Sequence, residues 1–111
     1  MNPGIAELCD EILIGNFNDP NFVVNYANEI GATLAIIGPE NPLANGVADA
    51  LWEAGVKVVG PKKDLAQLET SKAFTRDLLK EYDIPGGPQY QKFNAMSGVA
   101  DFLNVLGENY V

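Results

Sequence analysis

Short apolar runs alternate with longer stretches of helical spacing along the first half of the chain. The runs at residues 11–15, 33–37 and 56–59 are rich in Ile, Leu and Val and are too short for helices, so they predict strands. The run at 33–37 has almost no polar alternation, which predicts a sheet that is covered on both faces. Residues 19–31 and 44–55 carry apolar stripes at helical spacing and therefore predict helices. This alternation is typical of a parallel α/β sheet.

Capping signals mark the ends of these helices. Asp19 is placed to cap the first helix, with Pro20 at its first position, and Gly31 supplies a left-handed stop. Further along, Asp64 is followed three residues later by Gln67, which resembles a capping box that opens a short helical turn.

The pattern changes in the last third of the chain. Thr70 or Ser71 is placed to cap a longer helix, and the Pro- and Gly-rich residues 84–88 break the chain sharply. Residues 89–93 then predict another strand, and residues 94–106 predict a last helix that ends at a glycine. There is no internal repeat and no low-complexity segment.

Composition narrows the functional classes. The 111 residues include 15 acidic and 7 basic side chains, a net charge of −8, which argues against binding to nucleic acid. Histidine is absent, which excludes Ser-His-Asp and Cys-His nucleophile systems. The single Cys9 fits a reducing compartment, and we expect it to be a small buried apolar side chain. No apolar run is long enough for a membrane span and no signal peptide opens the chain, so we expect a cytoplasmic protein.

The loop after the strand at 33–37 is the first candidate site. Ligands bind outside the carboxyl ends of strands in open α/β sheets, where Gly38 admits close backbone approach and Glu40 offers a carboxylate beside Pro39. The alternative is a rigid connector in which Glu40 only stabilises the N-terminus of the next helix. Lys62 and Lys63 follow the next strand, and we interpret them as solvated charges.

Lys72 is the second candidate. It lies in the first turn of a predicted helix, where the helix dipole disfavours a cation, so it is suited to holding an anion such as phosphate. Arg76 lies one turn later and is expected on the same face. The alternative is that Lys72 pairs with Glu69 or Asp77 on a solvated face. Neither the P-loop pattern nor the G-x-G-x-x-G pattern occurs.

Three segments taken together resemble phosphoribosylamine–glycine ligase, also called glycinamide ribonucleotide synthetase, an ATP-grasp family of purine synthesis. They are I-I-G-P-E-N-P-L-A-N-G-V-A-D-A-L at residues 36–51, A-G-V-K-V-V-G-P-K-K at 54–63 and L-A-Q-L-E-T-S-K-A-F-T-R-D-L-L-K-E-Y-D-I-P at 65–85. The combination of G-P-E-x-P-L with L-E-x-S-K-A-F at this separation is specific for the family.

The resemblance implies a fold and a set of sites. The fold is α/β, with a Rossmann-like (pre-ATP-grasp) parallel sheet at residues 1–61, connecting helices at 62–88 and the start of an ATP-grasp domain at 89–111. It further implies that Gly38, Pro39 and Glu40 contact phosphoribosylamine and that Lys72 lies near the phosphates of ATP. The implied reaction joins glycine to phosphoribosylamine through a glycyl phosphate, with ATP and Mg²⁺ as cofactors. The implied partners are these small molecules, with no nucleic acid and no membrane.

The departures from the family pattern are equally specific. The chain opens with the loop-like Asn2-Pro3-Gly4 in place of a strand and G-G-R-E-H, and Tyr110 and Val111 predict a strand that stops early. We therefore expect an inactive fragment without the first strand, which binds no cofactor tightly and whose open sheet edge favours self-association. The alternatives are a stand-alone α/β binding or assembly module without catalysis, and a flavodoxin-like regulatory domain.

Overall fold

The chain forms two compact units. The computed structural model describes the backbone of residues 3–108 and the side chains of residues 4–108. The units are Met1–Ser71 and Lys72–Val111. The elements of the first are α1 (Pro3–Ala6), α2 (Pro20–Glu29), β1 (Leu34–Ile36), α3 (Glu40–Ala44), α4 (Val47–Glu53), β2 (Lys57–Val59) and α5 (Lys63–Thr70). The second contains α6 (Lys72–Glu81) and α7 (Val99–Leu106). The functional division at residues 61 and 88 stays a prediction.

The sheet of the first unit is parallel, as the sequence pattern predicts. β1 pairs with β2 in the register Leu34 to Lys57, Ala35 to Val58 and Ile36 to Val59. The chain passes from β1 to β2 through α3 and α4, which is the helical crossover that parallel strands require. The α/β class with a parallel sheet is therefore confirmed.

The ends of α2 follow the local sequence signals. The Asp19 side chain accepts a hydrogen bond from the backbone N–H of Asn21 at 2.9 Å, with Pro20 at the first helical position. Gly31 follows the helix at φ +64°, a conformation that side chains with a Cβ rarely adopt. Both predicted ends of this helix are confirmed.

The second predicted helix corresponds to α4, and a short helix, α3, precedes it. α3 already begins at Glu40, and α4 begins after Gly46, whose φ of +84° interrupts the helical path. Gly46 is buried and α3 and α4 pack together around it. The helix predicted at 44–55 is therefore confirmed as α4, which ends before Gly55 at φ +83°, but it begins three residues later than predicted because Gly46 makes a turn.

The core of the first unit lies on one face of the sheet. Its buried members are apolar and come from α2, the α3–α4 pair, the start of β2 and α5: Ala27, Leu43, Val47, Ala48, Leu51, Val56 and Ala66. Ala35 and Val58, the central residues of the two strands, pack against this core.

The opposite face of the sheet is open among the described residues. Leu34, Ile36 and Val59 are 55%, 74% and 55% exposed. The strands alternate because successive side chains point to opposite faces, and the packed helices cover only one of them. The expectation of a sheet covered on both faces was therefore wrong for this part of the chain.

Two predicted strands are absent from the described residues. Residues 11–15 and 89–93 are in neither helix nor strand. A strand is defined by a hydrogen-bonded neighbour, and the only sheet described pairs β1 with β2. Pro3 and Gly4 belong to α1 instead of a loop, and Cys9 is exposed instead of buried. Asn2, Tyr110 and Val111 lie outside the described residues.

The start of α5 is fixed from a distance. The carboxylate of Asp49, in α4, accepts a hydrogen bond from the backbone N–H of Lys63 at 2.9 Å. Asp64 and Gln67 lie inside α5, so they do not form the predicted capping box. The hydroxyl of Thr70 donates back to the carbonyl of Ala66 at 3.0 Å, so it does not cap the following helix.

The second unit contains a ring contact that the apolar pattern does not predict. α7 begins at Val99, after Gly98 with φ +83°, and ends at Gly107. The ring of Phe102 packs against that of Phe93 with centroids 5.9 Å apart and an interplanar angle of 57°. The predicted end at Gly107 is confirmed, whereas the predicted start at residue 94 was five residues too early. Within residues 3–108, no helix is long and apolar enough to cross a membrane.

Candidate functional site

The loop from Gly38 to Glu40 lies at the carboxyl end of β1. The N–H of Ile37 donates to the carbonyl of Val59 at 3.1 Å, which continues the strand pairing up to the residue before Gly38. Pro39 then takes an extended conformation, with φ −81° and ψ 152°, and serves as the N-cap residue of α3. The predicted position of this loop, at the carboxyl end of the strand, is confirmed.

All three residues of this loop are exposed. A Cβ built on Gly38 would meet no described atom within 4 Å, so packing does not require a glycine there. The Glu40 carboxylate makes no hydrogen bond or ion pair within residues 4–108. It lies in the first turn of α3, where a negative charge is favourable. Both interpretations of Glu40, as a ligand contact and as a helix-dipole partner, are compatible with this position.

An apolar hollow of about 260 Å³ opens beside this loop. Gly38 and Pro39 form part of its wall, and Glu40 lies outside the wall. The remaining wall residues come from the segment before α2, from α2, β1 and the two crossover helices: Phe17, Val23, Ala35, Ile36, Ile37, Pro42, Val47 and Leu51. The hollow can accept an apolar part of a ligand whose polar groups meet the loop backbone and the carboxylate of Glu40.

A larger cleft of about 910 Å³ lies within the second unit. Lys72 and Arg76 both line it, which confirms that they share one face of α6. The segment 88–92 forms a second wall. Four apolar side chains of α7 form the third: Phe102, Leu103, Val105 and Leu106. Three cations, Lys72, Arg76 and Lys92, therefore line a cleft whose other lining side chains are apolar or neutral.

Lys72 does not form either of the predicted surface pairs. Neither Lys72 nor Arg76 makes an ion pair or a side-chain hydrogen bond within residues 4–108. The carboxylate of Asp77 is instead bound to Lys92. Glu69 makes no ion pair in the same part of the chain. Lys72 is exposed without either pair in this part of the chain, and its role as an anion ligand stays a prediction.

Asp77 is the centre of a three-residue cluster that sequence reasoning missed. Its two oxygens accept separate hydrogen bonds, one from the Tyr90 hydroxyl at 2.6 Å and one from the Lys92 ammonium. The bond from Lys92, and next that from Tyr90, lowers the pKa of the Asp77 carboxyl from its usual value. The same contact with Asp77, followed by desolvation, raises the pKa of the Tyr90 hydroxyl.

A metal site needs several Asp, Glu, Cys or His side chains close together. Within residues 3–108 there is no group of three or more Asp, Glu, Cys or His side chains that could hold a metal ion.

Comparison with known proteins gives a consistent result. Residues 1–69 match the family described as "Phosphoribosylglycinamide synthetase, N domain". The chain is 48% identical over 107 residues to phosphoribosylamine–glycine ligase of Methanosarcina barkeri, covering 96% of the chain and 25% of that relative. Identity to the ligase of Methanococcus vannielii is 50% over 114 residues, covering 99% of the chain and 26% of the relative.

A third relative agrees with the first two. Identity to the ligase of Methanopyrus kandleri is 40% over 107 residues, again with 96% of the chain covered. The chain thus spans about a quarter of the length of the curated relatives it matches. These matches confirm the resemblance predicted from the three motifs. The chain therefore belongs to the phosphoribosylglycinamide synthetase N-domain family.

Proposed function

We propose that this chain supplies part of the substrate-binding machinery of a phosphoribosylamine–glycine ligase, which joins glycine to 5-phosphoribosylamine with hydrolysis of ATP to ADP and phosphate. The observation that carries the proposal is the exposed Gly38-Pro39-Glu40 loop at the carboxyl end of β1, inside the segment that matches the family. The position agrees with the general rule for ligand sites in open α/β sheets.

The proposed role of the first unit is to bind phosphoribosylamine. The exposed Gly38 leaves room for a ligand to approach the backbone, and Pro39 limits the conformations of the loop. The unpaired carboxylate of Glu40 can accept hydrogen bonds from the amine and the ribose hydroxyls of this substrate. These contacts would orient the amine for attack, which is a contribution of positioning.

The proposed role of Lys72 is to bind the phosphates of ATP. Lys72 and Arg76 present two cationic groups to the cleft, while Tyr90 and the apolar face of α7 offer surface for the less polar part of a nucleotide. Their ammonium and guanidinium groups would hold the phosphates in place while the glycine carboxylate attacks the γ-phosphorus and ADP leaves. The amine of phosphoribosylamine would then displace phosphate from the resulting glycyl phosphate.

Magnesium is assigned no residue here. When bound in the ligase, Mg²⁺ neutralises charge on the transferred phosphoryl group. Residues 3–108 do not provide a set of three or more ligands for this ion.

The proposal also divides the chain into three functional regions. We interpret residues 1–61 as a Rossmann-like (pre-ATP-grasp) domain, 62–88 as connecting helices and 89–111 as the start of an ATP-grasp domain. The cytoplasm is the proposed compartment, on the strength of the single cysteine among 111 residues. We further expect no ligase activity from the chain by itself. Phosphate release that depends on both glycine and phosphoribosylamine would contradict this.

The test uses a chimera in which this chain replaces the matching segment of the Methanosarcina barkeri ligase. Glu40→Gln keeps the size of the side chain but removes its charge, and it should raise KM for phosphoribosylamine about tenfold while KM for ATP stays unchanged. Lys72→Met should raise KM for ATP about tenfold while KM for phosphoribosylamine stays unchanged.

Matched controls come from exposed charges outside both sites. Glu53→Gln on α4 and Lys57→Met on β2 remove one charge of each sign and should leave all three KM values within about twofold of the parent chimera. If Glu40→Gln behaves like Glu53→Gln, the phosphoribosylamine site is wrongly assigned. If Lys72→Met behaves like Lys57→Met, the ATP assignment fails.

A further inference from the structure

We propose that Asp77 is a positioning residue for nucleotide binding, because it fastens the segment 88–92 to α6 as a fixed wall of the cleft that Lys72 and Arg76 line. The inference rests on the proposed function of Lys72. It adds a residue that does not itself line the cleft and acts through its neighbours.

The geometry of the cluster is that of a clamp. Asp77 lies on α6, whereas Tyr90 and Lys92 lie 13 and 15 residues further along the chain. Each carboxylate oxygen receives its own donor, so both donors are held at the same time. Tyr90 and Lys92 alternate along the segment and both also line the cleft. Movement of Asp77 would therefore move that wall.

The two hydrogen bonds to Asp77 are the main polar contacts of the segment 88–92 within the described residues. Residues 88–92 belong to no helix or strand in the described chain, so no backbone ladder holds them. The Phe93–Phe102 ring contact fixes the end of the segment against α7, but it gives no link to α6. The bonds to Asp77 supply that link, and two charge-assisted hydrogen bonds restrict orientation as well as distance.

The clamp also determines which cations remain available. Lys80 follows Asp77 by three residues on α6, so Asp77 has another cation within reach on its own helix. Its two oxygens are occupied by Tyr90 and Lys92. Lys92 is thereby paired with a carboxylate, whereas Lys72 and Arg76 line the cleft without an ion-pair partner in the described residues. Two of the three cations that line the cleft, Lys72 and Arg76, are therefore available to an anionic ligand.

The experiment uses the same chimera and measures KM for ATP, kcat and the melting temperature. Asp77→Ala releases both donors and should raise KM for ATP about tenfold while kcat at saturating ATP stays within about twofold. Tyr90→Phe removes one donor without changing the ring, and a rise of about threefold is expected. Glu81→Ala, an exposed acid at the end of the same helix, is the control that should change nothing.

A double substitution separates clamping from charge. Asp77→Asn with Lys92→Gln replaces the ion pair by two amides that can still hydrogen-bond to each other and to Tyr90, so it should return KM for ATP to within about threefold of the parent. If Asp77→Ala melts at the parent temperature and leaves KM for ATP unchanged, or if the double substitution is as impaired as Asp77→Ala, the clamp is refuted.

Lys72→Met distinguishes this failure from failure of the proposed function. If Lys72→Met raises KM for ATP and Asp77→Ala does not, only the clamp is wrong. If neither substitution changes KM for ATP, the nucleotide assignment of the whole cleft falls, and the clamp with it. Equal rises of the KM values for all three substrates in Asp77→Ala would identify a general structural effect and would also refute the positioning role.

Discussion

Replacing Asp49 by Ala removes the hydrogen bond that fixes the start of α5. In the structure, the Asp49 carboxylate accepts from the N–H of Lys63 at 2.9 Å and so satisfies one of the free donors at the helix N-terminus. The loss of such a cap costs about 1 kcal/mol, and an ionised acceptor brings the expected cost to about 1–2 kcal/mol. For a unit of this size, each kcal/mol corresponds to roughly 4–8 °C in melting temperature.

The single Trp52 provides a probe of the first unit alone. It lies on α4, one turn after Asp49, and it is the only tryptophan of the 111 residues. Urea titration followed by its fluorescence should therefore report the free energy of unfolding of this unit. Asp49→Asn retains an oxygen acceptor without the charge, and about half the loss is expected for it.

Asp64→Ala is the decisive comparison. Asp64 is also an acid in the first turn of a helix, but within residues 4–108 its carboxylate accepts a hydrogen bond only from the adjacent N–H of Leu65, at 2.8 Å. We expect a cost of about 0.5 kcal/mol from the lost interaction with the helix dipole. If Asp64→Ala destabilises the unit as much as Asp49→Ala does, α5 is capped locally, and the reasoning from the long-range contact is refuted.

Three further predictions follow from packing and from the Asp77 cluster. Leu51 is 1% exposed, so Leu51→Ala should cost about 2–5 kcal/mol in the same urea titration, and a cost below about 1 kcal/mol would contradict the described core. Gly60 has φ +152° and a Cβ there would lie 3.1 Å from Leu43, so Gly60→Ala should cost about 1–3 kcal/mol, whereas an unchanged midpoint would contradict this backbone. The lowered pKa of Asp77 means that its contribution to stability is present above the ordinary carboxyl pKa and is lost as pH falls through the lowered value. The raised pKa of Tyr90 means that the contribution of its hydroxyl is lost only at alkaline pH. Absorbance titration should therefore show Tyr90 ionising above the usual tyrosine pKa, and Asp77→Asn should lower the pKa of Tyr90.

Elements whose signals are local in sequence could be predicted. Asp19, Pro20 and Gly31 each act within one turn of α2, so their identities determine where that helix begins and ends. β1 and β2 could be predicted because their apolar runs are separated by helical segments that return the chain to the same sheet.

Elements that depend on distant partners could not. Residues 11–15 have the composition of a strand, but composition does not provide the neighbour whose backbone groups must pair with them. The cap of α5 comes from Asp49, 14 residues away, and Asp64 and Gln67 imitate a local cap at the same place. In both cases the physical determinant is a contact between segments, which no short window of sequence contains.

The candidate site divides in the same way. The position of Gly38, Pro39 and Glu40 follows from the rule that ligand sites lie at the carboxyl ends of strands, so it could be predicted from one strand and the turn after it. The neighbouring hollow could not, because its walls come from α2, β1 and both crossover helices. The Asp77 cluster spans 13 and 15 residues without a helical or strand period, so no pattern signals it.

The net charge of −8 has to be reconciled with a cleft that is proposed to bind ATP. Exposed ion pairs contribute little to the free energy of unfolding. Lys72 and Arg76 can therefore lack ion-pair partners within the described residues at little cost in stability. At an ionic strength of about 0.1 M the Debye length is about 10 Å, so carboxylates elsewhere on the surface are largely screened from the cleft. A ligand there interacts mainly with the groups that line it, and those groups are cationic, neutral or apolar. The overall charge therefore argues against binding to an extended polyanion, which would contact the wider surface. Binding of one small phosphorylated ligand depends instead on the side chains that line the cleft.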